Sequence, residues 1–365
     1  MRVRGRIAIL FFTMLFLLSS ILTGCGSTKK EEQEKSNKLK IVATDYAPYD
    51  FARQVAGDAA DVSMLLSPGE EAHSFEPTPR DMIKIRQCDV FVYTGGESED
   101  WVTDILKDLD TKITVVKLMD CVDLYEEESV EGMESDGHDH SHEGETAEEH
   151  AAHANETDED GHEGETAEEH AAHAHEADED DHDHGDGEEP EYDEHVWTAP
   201  ANAIKITKAL GKAFAKADPS KKAVYDTNTE GYVAQLNELD QAFWDVVNHA
   251  KRKTLIFGDR FPLRYFVEEY GLRYYAAFPG CASDTEPSAK TVVFLIDKVK
   301  EEKIPVVFHV EFSNESMADT ICEDTGAKKL QFNACHNISK EQFQKGVSYL
   351  DLMWDNVEVL KEALQ

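Results

Sequence analysis

Histidine and carboxylate dominate what this sequence could do chemically. Sixteen histidines occur, and eleven of them are interleaved with acidic residues in one stretch: His138, His140, His142, His150, His153, His162, His170, His173, His175, His182 and His184. Within it, HEGETAEEHAAHA runs from His142 to Ala154 and returns unchanged from His162 to Ala174. Each buried position has its own shape, so a packed core does not tolerate an unaltered copy; the repeat is read for its composition. Imidazoles and carboxylates on a flexible chain make weak, interchangeable zinc sites, with a solvated acidic spacer as the plain alternative. Two other histidines stand at points where a strand pattern gives way to a helix start: His73 in GEEAHSFEPTPRD and His195 in DEHVWTAP. Open α/β sheets gather ligands at such junctions, and neutral imidazole is a good zinc ligand in sites that normally hold four N, O or S donors. Taken singly, each reads as an ordinary loop histidine before it reads as a ligand. His249 reads as solvated and His309 as a core or strand-edge residue.

The elements that must position these residues are legible as alternation. Residues 39–44, 62–66, 90–93 and 113–118 read as buried strands, with helical spacing over 81–86 and 101–109 and, after Thr44, through Val55 to an end at Gly57. Strands alternating with helices predict βα units and a mostly parallel sheet. From Ser220 to Ala250 the pattern changes: Val233, Leu236, Leu239, Phe243 and Val246 recur at spacings of three and four, which predicts one long connecting helix. Beyond it, 254–258, 273–278, 306–312 and 329–332 read as strands, and a last helix is expected over 340–364. The fold class is therefore α/β: two βα lobes joined by one long rigid linker helix. The boundaries are 39–219 for the first lobe, 220–250 for the linker and 251–365 for the second lobe.

Composition sets the compartment. The formal net charge of −39 is unevenly placed, because 32 of the 75 acidic residues lie between Asp123 and Glu194, where no Lys or Arg occurs. Setting them aside leaves 36 basic against 43 acidic residues, an ordinary balance. The acidity belongs to an insert over 123–192, expected to be disordered without metal, and nothing resembles a basic face for nucleic acid. Arg2, Arg4 and Arg6 precede an apolar run from Ile7 to Ile21 that ends in Leu-Thr-Gly-Cys25. That reads as a signal peptide over 1–24 with lipidation at Cys25, then a polar tether to residue 38. The expectation is an extracytoplasmic monomer anchored to the bilayer through acylated Cys25. No CxxC occurs among the other five cysteines.

The motifs together resemble a known family, the zinc-type metal-binding proteins of ABC importers in the manganese/zinc cluster of solute-binding proteins. The resemblance rests on His73-Ser74-Phe75-Glu76-Pro77-Thr78-Pro79-Arg80-Asp81, on Asp193-Glu194-His195-Val196-Trp197, on Gly95 to Trp101, and on Glu286-Pro287-Ser288. It covers nearly everything from Lys38 to Leu364, and an acidic His-rich insert at this place is typical of the zinc branch. It implies two lobes with metal held in the cleft between them and delivery to a membrane permease. His73 and His195 match the family's first two ligands. The third position falls on Arg260, which cannot bind a cation, so the adjacent Asp259 is assigned that place, with a helix-capping role as its alternative. The fourth, usually a carboxylate in a loop after the last strand, falls where this chain offers His336. Glu311 is a supporting candidate. Cys335 is either a ligand or, as preferred here, half of a disulfide with Cys281.

Three imidazoles and a carboxylate suit Zn2+ better than Mn2+, so the expected cargo is zinc. Manganese or iron is the rival within this class, and zinc storage or adhesion, with the insert as the main device, is a different class. A secreted zinc hydrolase would need an open coordination position and a general base as in HExxH, and that motif is absent.

Overall fold

The computed structural model describes residues 38–133, 191–280 and 288–365. The expectations for the signal peptide, Cys25, the tether, the eleven insert histidines and Cys281 lie outside these residues. The βα pattern resolves into two four-stranded parallel sheets of identical topology. In the first lobe β1 (Leu39–Ala43), β2 (Ala60–Met64), β3 (Val90–Tyr93) and β4 (Thr114–Lys117) lie in the order β2-β1-β3-β4. In the second, β5 (Thr254–Phe261), β6 (Arg273–Pro279), β7 (Val306–His309) and β8 (Lys328–Gln331) repeat it as β6-β5-β7-β8. The near-continuous apolar runs at β1, β3, β5 and β7 are those of strands with both faces covered.

Helices α1 (Tyr46–Ala56), α2 (Pro79–Arg86), α3 (Asp100–Lys107) and α4 (Pro200–Ala217) serve the first lobe. The Pro-Thr-Pro-x-Asp motif explains where α2 begins. Thr78 accepts from the Asp81 N–H while the Asp81 carboxylate accepts from Thr78, and Pro79 occupies a first-turn position where its missing N–H costs nothing. The connecting helix α5 spans Lys222–Asn248, 27 residues or about 40 Å. Its buried stripe is Tyr225, Tyr232, Leu236, Leu239, Phe243 and Val247. Each fully buried Leu or Phe on it contributes roughly 1.5–3 kcal/mol, and one apolar core runs from the first sheet through this helix into the second.

The second lobe adds α6 (Arg264–Tyr270), α7 (Ala289–Glu302), α8 (Ser316–Thr325), α9 (Lys340–Lys345) and α10 (Tyr349–Leu364). The single helix expected over 340–364 is two: Gly346 ends α9 at φ 72°, and Ser348 with Asp351 starts α10 with a fresh capping box. The strand expected over 306–312 stops at His309, which frees residues 310–312 for a turn with Phe312 at φ 61°.

Candidate metal centre

Three loops converge on one point. His73 lies between β2 and α2, His195 immediately before the helical turn that leads into α4, and His336 in the loop after β8. One nitrogen from each ring lies within 4.8 Å of the others, and no other Cys, Asp or Glu joins the group among the described residues. Ring centroids are 5.6 Å apart for His73 and His195, 4.9 Å for His73 and His336, and 4.5 Å for His195 and His336. In all three the Nε2 atom is buried without a hydrogen-bond partner. Buried polar atoms are normally paired, so three orphaned ring nitrogens facing one point define an incomplete site.

The second ring nitrogens set the tautomers. His195 Nδ1–H donates to Asp193 Oδ1 at 2.9 Å, and the same oxygen accepts the His195 backbone N–H at 2.8 Å. His73 Nδ1 faces Glu194 Oε1 at 3.2 Å and Ser98 Oγ at 3.1 Å. A ring that donates through Nδ1 keeps its lone pair on Nε2, the arrangement in which imidazole binds a metal. Glu194 is in turn held by the backbone N–H and hydroxyl of Ser98. Here the Gly95-Gly96 pair gains a physical reason: Gly96 has φ 94°, and a Cβ there would stand 2.4 Å from Glu194 Oε2. Asp193, Glu194 and Ser98 are the supporting residues to which no role was assigned from sequence. The signal was present, since each flanks or lies within a quoted motif.

Electrostatics divide the three rings. Burial works to lower the His195 pKa, but the Asp193 carboxylate beside it, together with Glu194 and Glu127, outweighs that and holds it above the usual value. Burial dominates at His336, with His195, His73 and Arg260 adding in the same direction, and its pKa falls well below the usual value. Burial would raise Glu194, yet its bond from His73 and the nearby imidazoles hold it below the ordinary carboxylate range. A cation entering the site therefore meets a neutral imidazole at His336, with Glu194 behind His73 and Asp193 behind His195. Trp197 packs edge-on against His336 at 5.1 Å and donates its indole N–H to Ala334 O at 2.8 Å, which fixes the second-lobe loop against the first.

Two assignments need correction. Asp259 does not reach the site: Oδ2 accepts the Val310 N–H at 2.9 Å and Oδ1 the Arg260 N–H at 2.8 Å, so the carboxylate ties β5 to the end of β7. Asp259 thus does not take the third place assigned to it, and Arg260 extends to Glu71 Oε2 at 3.0 Å. Cys335 is a free, fully buried thiol, neither half of a disulfide nor part of the histidine group. Its Sγ lies 3.9 Å from Asn333 O, and burial holds the thiol well above its usual pKa. Glu311 supports rather than ligates, accepting the Ala334 and His336 N–H groups at 2.7 and 3.0 Å.

The family profile described as "Zinc-uptake complex component A periplasmic" matches residues 41–363. The chain belongs to this family. It is 30% identical over 356 residues to the high-affinity zinc uptake system protein ZnuA of Bacillus subtilis, covering 96% of this chain and 97% of that one. It is 28% identical over 348 residues to the zinc-binding lipoprotein AdcA of Streptococcus pneumoniae, covering 95% of this chain but 59% of the relative, so it spans little more than half of that protein. The crystal structure of the Zn(II)-bound ZnuA-like domain of that AdcA superposes with a TM-score of 0.65 at 26% identity, covering 90% of this chain and 99% of the other. The two-lobe α/β fold with a helical linker is that of these solved structures. The family is one of solute-binding proteins rather than an enzyme class.

Proposed function

We propose that this chain captures Zn2+ outside the cytoplasm through His73, His195 and His336 and hands it to an ABC-type permease. The observation that carries the reading is the convergence of three buried, unpartnered Nε2 atoms from loops of both lobes. Tetrahedral zinc with Zn–N bonds of about 2.0–2.1 Å places its donors about 3.4 Å apart. The rings need contract by no more than about 1.4 Å at the widest pair. Imidazole-only donors favour zinc over manganese, which prefers oxygen. The names of the relatives, a zinc uptake protein and a zinc-binding lipoprotein, support the same cargo. Binding and release, with no bond made or broken in a substrate, is the role, and acylated Cys25 is the proposed anchor.

The histidines from His138 to His184 are proposed as weak auxiliary sites that raise the zinc concentration near His195, an effective-concentration effect. Calorimetric zinc titration of the chain with and without residues 136–186 tests both ideas. One tight equivalent should persist after the deletion while the weak ones disappear. Loss of the tight equivalent would place a true ligand in the insert and overturn the three-histidine reading.

A further inference from the structure

We infer that a metal ion held by His73, His195 and His336 takes a small planar oxyanion of the carboxylate or bicarbonate class as its fourth ligand, seated between His336 and the Arg260 guanidinium. The inference rests on the three-histidine reading and deepens it.

Three imidazoles leave a zinc ion one donor short of four and leave its double charge uncompensated by any ligand. Three of the protein carboxylates near the group are already committed. Asp259 accepts two backbone N–H groups, Glu311 accepts two more, and Glu194 is held by Ser98 and His73. Releasing any of them would strand buried backbone donors or unlock an imidazole. Arg260, meanwhile, is 8% exposed and permanently charged. A buried guanidinium facing a dication across one cavity is repulsive unless an anion stands between them.

Such a cavity exists. It opens to solvent beside the histidine group and is lined by Glu71, Arg260, Glu311, Phe312, His336 and Asn337. It is narrow, about 10 Å3 and room for roughly one water, so an anion enters only as the Glu71 carboxylate leaves. Phe312, 44% exposed and held at φ 61°, is part of its wall. Glu71 occupies Arg260 through one oxygen at 3.0 Å, and its side chain is 32% exposed. It can therefore swing to solvent as an incoming anion takes its place on Arg260, so that the guanidinium is never left unpaired. The guanidinium fork matches two coplanar oxygens, and lone oxyanions of this class can give one oxygen to a metal and the other to an arginine. Glu71 then acts as a stand-in that keeps Arg260 neutralised before the cargo and its anion arrive.

The test uses the mature full chain with one equivalent of cobalt(II), whose visible bands report its ligands, in carbonate-free buffer of a non-coordinating base. Bicarbonate and acetate are titrated separately. A saturable change of the bands with either anion is expected, together with at least a tenfold gain in zinc affinity by competition with a chelator. The stronger of the two identifies the source. Arg260→Gln should weaken the anion response at least tenfold, and Arg260→Lys less, because lysine keeps the charge but not the fork. Cobalt bound with bands that neither anion alters would overturn the inference and leave the three-histidine site standing. So would Glu71→Gln weakening cobalt binding a hundredfold, which would make Glu71 itself the fourth ligand. Failure to bind either metal would instead overturn the site.

Discussion

Replacing His336 with alanine separates the roles of the loop after β8 from those of its side chain. The main chain at this position is held independently of the ring: its N–H donates to Glu311 at 3.0 Å and its carbonyl accepts from Tyr46 N–H at 3.2 Å. The loop should therefore keep its place. What is lost is the edge-on contact with Trp197, at 5.1 Å and 88°, worth about 0.5–1.5 kcal/mol of stability. Against that, a structural zinc site yields about 10–16 kcal/mol over its donors, roughly 2.5–4 kcal/mol for each of four. Asp259 and Glu311 cannot replace the lost imidazole, since both are bound to backbone N–H groups. Zinc affinity should fall by roughly two to three decades while the metal-free protein melts only a few degrees lower. Competition with a chromogenic chelator at fixed pH reads the first, and calorimetric melting of the metal-free chain reads the second. An affinity within threefold of the parent would refute the three-histidine assignment. A collapse of the fold would refute the claim that the main chain holds the loop.

Asp259→Ala should show the opposite profile, leaving the Val310 and Arg260 N–H groups without acceptors and costing about 2–4 kcal/mol, with zinc affinity moving less than threefold; paired melting and chelator competition check it. Asp193→Asn should lower zinc affinity about 10–100-fold, the usual effect of disturbing the partner of a metal-bound histidine, and should bring the His195 titration, followed by NMR, down toward its ordinary value. Capture should also depend on pH. The His195 pKa lies above 6.5, so a proton competes with zinc there already near neutrality, whereas His336 stays neutral and releases none. Zinc binding measured in buffers of different ionisation enthalpy should therefore release about one proton from His195 as pH falls through its raised value, with affinity weakening by roughly tenfold per pH unit in that window; affinity independent of pH there would contradict the charge assignment.

Local physics in the sequence determined a good deal. The two βα lobes, the 27-residue connecting helix and the start of α2 follow from periodicity and capping residues that act within a few positions of one another. His73 and His195 were legible because the residues that fix them are close by in the chain: Thr78 and Asp81 cap the helix after one, and Asp193 orients the other. His336 was legible as a loop residue after the last strand. What the tertiary structure decided was which second-lobe side chains reach the centre. Asp259 and Arg260 are neighbours in one strand, where alternate residues point to opposite faces and the register shifts between Phe257 and Arg260. No local rule says which of them faces β7 and which faces Glu71. Ser98 and Glu194, 96 positions apart, likewise meet only because β3 and the turn before α4 end side by side. Pairings that span a hundred residues depend on how whole sheets pack, and a single sequence records them only as the separate motifs that packing later joins.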